Sequence, residues 1–315
     1  MSSDFFKVTC STKISNRNDS DRQFDHSIVQ ICLSMSTDIE QEKNLYRRIK
    51  DIDETHGKSA ACRLAKTLDR TCLVSNRNQA FSNIHIQLFL LLMNLQILNK
   101  CEIALGDISN LLSISTESIR IYLNAFKALE FCFYDFHEKA LYSDEKIFEH
   151  LSTTKDYLSF SVSKVFRKTV LRNGRTLLLP KSLLFYREKE RNSLVTITAV
   201  KIHSHRVVQD RIRNNRMISE SSSDSLVLRF RLDNLLKDGG INVENERLDN
   251  IRRWIVSLLR ALDEFEVIAD IKIKPPVGEA FLYRGFVDNH ESISSLSRLG
   301  RKNELLNSTL EITIF

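Results

Sequence analysis

Apolar and polar positions along this chain follow two periods, and the changes of period mark its elements. Residues 84–98 are almost continuously apolar, which predicts a buried helix. From 116 to 131 the apolar positions are Ile119, Leu123, Phe126 and Leu129, spaced by four and three, one face of a helix. Ser115 suits the N-cap of that helix, and Glu117 falls in a first turn where the helix dipole favours an acid. A short helix over 108–112 precedes it, with Gly106-Asp107 at its start and Ser113-Ile114-Ser115 as a tight turn. Residues 132–136 and 140–143, separated by His137-Glu138-Lys139, predict a hairpin.

A similar order recurs downstream. Residues 193–211 predict a helix, and 233–237 a short helix closed by Gly239-Gly240. A long helix follows over 243–265, with a stripe of Leu248, Ile251, Ile255, Leu258, Leu262 and Phe265. Strands over 268–274 and 280–286 then flank Pro275-Pro276-Val277-Gly278, whose proline and glycine mark a hairpin tip.

The remaining segments are less telling. Helices over 37–55 and 58–73, parted by Gly57, carry Ile39, Leu45, Ile49 and Ile52 among many charges, a face for a core or for a partner. Asn16 to Gln23 and the tract around Ser221-Ser222-Ser223 are polar enough for loops. Phe160-Ser161-Val162 alternates as a strand does, Arg172-Asn173-Gly174-Arg175 has turn composition, and 177–179 predicts a strand ending at Pro180. These read as connecting structure.

The expected fold class is therefore mainly α with small β-hairpins (α+β), organised as tandem winged-helix domains. Helix, short helix, turn, long helix and hairpin together make the winged-helix order. In it a rod about 10–12 Å wide fits the DNA major groove while the hairpin reaches backbone nearby. The expected divisions are an N-terminal helical, partly disordered extension (1–79), a first winged helix (80–157), a linker strand with a second winged helix (158–290), and a C-terminal tail (291–315).

Composition narrows the chemistry. Only 8 glycines and 3 prolines occur, which disfavours the glycine turns of nucleotide-binding enzymes. No GxSxG, HExxH, P-loop or GxGxxG is present, so no enzyme activity, metal or cofactor is expected. His203 and His205 stand two apart in a helical segment and point to different sides, a poor metal pair. The 6 cysteines form no CxxC and none lies beyond Cys132, the pattern of reduced thiols in the cytoplasm. No signal-peptide core follows Met1, and the most apolar run, the 13 residues from Ile86 to Leu98, is too short for a bilayer. A net charge of +6 biases the chain toward polyanions.

The second unit holds most of the candidate DNA contacts: Arg247, Arg252, Arg253 and Arg260 on its long helix, Lys272, Lys274 and Arg284 on the hairpin, and Arg211 and Arg213 upstream. The first offers Arg120, Asn124 and Lys127 beside an apolar Ile121. Arginine forks onto guanine or phosphate, and affinity grows with the phosphates neutralised. Trp254, next to Ile255, is expected to complete the core.

Leu105-Gly106-Asp107-Ile108-Ser109-Asn110-Leu111-Leu112-Ser113-Ile114-Ser115, followed by Ser118-Ile119-Arg120 and Ala125 to Phe131, resembles the helix-turn-helix family over about 30 residues. Two such units over about 80–286, the first less basic than the second, resemble the plasmid replication initiator family. Leu177-Leu178-Leu179-Pro180 looks like the strand entering the second module there. The resemblance implies a replication initiator that dimerises mainly through its first module and binds repeated origin DNA through its second. The partners implied are double-stranded DNA and a second copy of the chain, with no membrane. A winged-helix transcription regulator and a protein-interaction module are the competing expectations.

Overall fold

The computed structural model describes residues 5–9, 12–13, 25–67, 72–74, 81–97, 101–135, 140–169, 176–186, 193–213, 226–265, 267–276, 281–282 and 301–314. The candidate loops at 16–23 and 219–225, the turn at 172–175 and the hairpin tips at 136–139 and 277–280 lie outside them. Helices and small antiparallel sheets make an α+β fold.

Strand β1 (Phe5–Thr9) opens the chain, and the short pair β2 (Thr12–Lys13) and β3 (Asp25–His26) leads into helix α1 (Ser27–Ser36). Every residue from Ile28 to Ser36 is buried, so α1 is a central core helix. Gln30, Ser34 and Ser36 are buried along with the apolar residues, so the polar positions mark no solvent face, which is why the sequence pattern does not announce the helix. Helix α2 (Ile39–His56) starts where the Asp38 carboxylate accepts the Glu40 and Gln41 amides, and stops at Gly57. Helix α3 (Lys58–Thr67) folds back on it. Together they bury a small satellite cluster of Ile49, Ala61, Cys62 and Ala65 against Cys132. The expected N-terminal extension thus divides into an outer helix pair and an integral core helix. The Ser34 hydroxyl ties these parts, donating to Glu42 and accepting the Val74 amide at 2.6 Å from strand β4 (Cys72–Val74).

The first unit contains α4 (Asn83–Ile97), β5 (Glu102–Ala104), α5 (Leu105–Leu112), α6 (Thr116–Phe126) and four strands, β6 (Glu130–Asp135), β7 (Ala140–Lys146), β8 (Phe148–Thr153) and β9 (Tyr157–Val162). Residues expected to form its hairpin, 132–136 and 140–143, do pair as β6 and β7, but in a sheet ordered β4-β6-β7. A second sheet, β5-β9-β8, joins the strand before α5 to a second hairpin. That second hairpin crosses the expected 157/158 boundary, and its buried Leu158, Phe160 and Val162 face the core.

Helix α7 (Lys164–Thr169), strand β10 (Thr176–Pro180) and the single turn α8 (Ser182–Phe185) connect the units. Strand β1 pairs antiparallel with β10, Phe5 opposite Pro180 and Thr9 opposite Thr176. Two buried glutamines grip this connection. The Gln87 amide donates to the Leu183 and Tyr186 carbonyls at 2.7 and 2.9 Å.

The second unit contains α9 (Leu194–Ser204), α10 (Arg206–Arg213), β11 (Leu226–Arg231), α11 (Leu232–Asp238), α12 (Leu248–Asp263), β12 (Ile268–Lys274), β13 (Phe281–Leu282), a short helix at Lys302–Asn307 and β14 (Thr309–Ile314). The helix expected over 193–211 breaks at His205, where the backbone turns extended (φ −69, ψ 133). From α10, Gln209 accepts the Leu178 amide at 2.9 Å and donates to the Leu178 and His203 carbonyls at 2.9 and 2.6 Å. The long helix starts at Leu248, five residues later than expected, because 243–247 form turns. The sheet order is β11-β14-β12-β13, so the end of the expected tail is a strand paired on both sides. Helices α1, α4 and α9 pack against one another, so one continuous core joins the units.

Candidate nucleic-acid interface

Both units are built on the same connectivity. In each, a buried helix (α4, α9), followed in the second unit by α10, precedes a strand (β5, β11) that runs without a break into a short helix (α5, α11). A second helix (α6, α12) follows, and two later strands return to the first, giving the orders β5-β9-β8 and β11-β14-β12. The start of the short helix is pinned alike. The Leu105 amide donates to the Asp156 carbonyl at 2.7 Å and the Leu232 amide to the Ser308 carbonyl at 3.0 Å, each acceptor lying just before the returning central strand. These donors are among those that an α-helix leaves unpaired at its own N-terminus.

The second helices match residue by residue. Glu117 and Asp249 hold the second position of α6 and α12, and each pairs with an arginine three residues on, Arg120 and Arg252, both at 3.2 Å. Ile119 and Ile251, Leu123 and Ile255, and Phe126 and Leu258 are buried at equivalent places. Tyr122 stands opposite Trp254 in this register, and both pack half-buried against the core. The expected core role of Trp254 is what its packing shows.

The turns between the paired helices differ. In the first unit Ser113 takes the left-handed conformation (φ 49, ψ 42) and Ser115 caps α6 by accepting the Ser118 amide at 3.1 Å. In the second, Gly239 and Gly240 end α11 and sit against other elements. A Cβ on Gly239 would lie 2.7 Å from the Leu194 Cα, and one on Gly240 (φ +82) would meet the Ser36 carbonyl oxygen. The Ser36 hydroxyl donates to the Asp238 carbonyl and the Lys201 ammonium pairs with the Asp238 carboxylate. Thus α11 is fixed to both α1 and α9.

The candidate residues fall into three groups. Arg247, Arg253 and Arg260 are exposed, at the start of α12 and along its outer face, where Arg253 and Arg260 stand two turns apart. Arg253 donates to the Asn250 side chain at 2.7 Å. On β12, Lys274 is exposed and Lys272 stands 3.4 Å from Asp270. In the first unit Asn124 and Lys127 are exposed. Arg120 and Arg252 differ from these. Both are half-buried braces held by their own helix acids, and Arg120 also donates to the Lys155 carbonyl in the β8–β9 turn. Arg211 and Arg213 lie on α10 with side chains outside the described residues, as does Arg284 entirely.

Ile121 and Tyr157, 60% and 49% exposed, are the large apolar side chains left in solvent among the described residues. Ile121 takes the sixth position of α6, the place that Arg253 holds in α12. This equivalence emerges only once the helices are placed in register.

His203 and His205 are both buried, so neither offers a surface site. Burial lowers the His203 pKa to about 4, opposed in part by its hydrogen bond to the Ala199 carbonyl. Among the described residues no group of three or more His, Cys, Asp or Glu could hold a metal. No helix among them is long and apolar enough to cross a membrane. No protein-family model matches the chain, and no curated protein matches it in sequence.

Proposed function

We propose that the chain is a sequence-specific duplex-DNA-binding protein whose two units are winged helices, with α6 and α12 as groove-reading helices. The observation that carries this reading is the repeated architecture itself. It has the same strand order, the same pinned short helix and the same acid–arginine brace, with an exposed face left over on each second helix. A helix braced from behind and flanked by a hairpin is the geometry that enters a major groove.

The second unit is the stronger binder in this reading. Arg247, Arg253 and Arg260 supply forked donors for phosphate or guanine, and Lys272 and Lys274 supply point charges on the adjoining strand. The resemblance to plasmid replication initiators makes repeated origin sequences the proposed target.

Gel-shift titration of the purified chain tests the proposal, with duplexes selected from a randomised pool and unselected duplexes as competitor. At two salt concentrations, selected sites should bind at least about a thousandfold more tightly than random duplex. Binding equal for all duplexes, or none at low salt, rejects it. Recovery of directly repeated sites favours an initiator, and recovery of one palindrome favours a regulator.

A further inference from the structure

We infer that the two units read opposite base chemistries: Ile121 of the first contacts a thymine methyl group, where Arg253 of the second contacts guanine. This rests on the DNA-binding reading above. A single exposed isoleucine on a protein surface is ordinary. Its position gives this one meaning. Glu117, Ile121 and Asn124 lie on one outward face of α6, while Ile119, Leu123 and Phe126 fill the core beneath. Ile121 therefore owes nothing to packing, and a β-branched residue is a poorer helix former than the lysine, glutamate or arginine usual at such a place. The equivalent place in α12 holds Arg253, which is also exposed.

The neighbours fit an A·T reader. Thymine is the one base with a methyl group in the major groove, and isoleucine offers it an apolar contact. Asparagine pairs with the N6 and N7 edge of adenine. Ile121 and Asn124, three residues apart on one face, are separated by about 4.5 Å along the helix axis. That is close to the roughly 3.4 Å between neighbouring base pairs. The pair would thus address adjacent A·T pairs. Arg120 cannot compete for this role, since Glu117 and the Lys155 carbonyl engage its guanidinium. Lys127, exposed where α6 ends, remains for phosphate.

The test uses the full chain and its best duplex from a randomised pool, with each thymine replaced in turn by deoxyuridine, which removes only the methyl. At one or two positions the replacement should weaken wild-type binding by about fourfold, the effect of one buried methyl group. I121A should weaken binding to the thymine duplex by at least as much, and should be indifferent to uracil at those positions. R253A should keep the full uracil effect and lose discrimination at a G·C pair elsewhere in the site. The inference is overturned if the uracil effect is as large in I121A as in wild type. It is also overturned if I121A binds all duplexes normally while sedimentation shows a changed oligomeric state, which would make Ile121 a protein contact. Either result leaves the DNA-binding reading intact. Loss of that reading would appear instead as a wild type without selected duplexes.

Discussion

The backbone amide of Leu105 donates to the carbonyl of Asp156, 51 positions further along the chain, and this bond fixes where the helix pair of the first unit begins relative to its hairpin. Leu232 and Ser308 repeat the bond in the second unit. The repetition separates residues that brace a helix from residues that face outward, and the first prediction concerns that separation.

Arg253→Ala should weaken binding to a selected duplex by about 1–3 kcal/mol. Arg252→Ala should act differently. Its side chain is half-buried and paired with Asp249, so its loss should lower the denaturation midpoint more than it lowers affinity for folded protein. Paired affinity and urea-unfolding measurements on both variants check this; identical profiles for the two would reject the division.

Glycine positions give opposite expectations. Gly106 lies inside α5 with nothing near the place of a Cβ, so Gly106→Ala should stabilise by about 0.5–1 kcal/mol. Gly239→Ala and Gly240→Ala should each destabilise by more than about 1 kcal/mol, because the new methyl meets Leu194 or the Ser36 carbonyl. Urea midpoints of the three variants decide the matter.

Gln209 satisfies both backbone groups of Leu178 and the carbonyl of His203. Gln209→Leu strands these buried groups, each worth about 1–3 kcal/mol when unpaired. The variant should lose at least about 2 kcal/mol by chemical denaturation, and faster amide exchange at Leu178 should accompany the loss.

Stability should fall as acid is added. His203 has a folded pKa of about 4 against an ordinary 6.5, because burial disfavours its charged form. Between those values the unfolded chain binds the proton and the folded chain does not, so stability rises with pH across that window. Below about pH 4 the His203 contribution levels off. Urea midpoints at pH 7.5, 6 and 5 should decline in wild type. His203→Gln should show a shallower decline over the same points.

Local patterns and distant pairings were not equally legible. The stripe from Leu248 to Leu262 marks α12, and the alternation of Ile271 and Ile273 marks β12, because each buries one face at a regular period. Strand β14 alternates as cleanly, with Leu310, Ile312 and Ile314 buried, yet its neighbours are 226–231 and 268–274, and no local signal names partners so far away. Helix α1 escaped for the opposite reason, since it is buried on every side and its polar Gln30, Ser34 and Ser36 mark no exposed face. At the site, residue types showed which unit was more basic. They did not show that Arg120 and Arg252 are braces, since that depends on half-burial and on acids one turn back.

The place of β14 bears on how the molecule is made on the ribosome. Everything that the sheets β4-β6-β7 and β5-β9-β8 need is present once residue 162 has emerged, since among the described residues β4 to β9 pair only among themselves. The second unit cannot begin its main ladder then, because β11 and β12 never touch and must wait for residues 309–314 to lie between them. Until residues 309–314 arrive, a nascent chain would carry β11 without its partner and β12 paired only with the short β13, each strand with an open edge. Charge on such edges discourages pairing with other chains. Arg229, Arg231, Lys272 and Lys274 would thus guard the half-made form of the molecule.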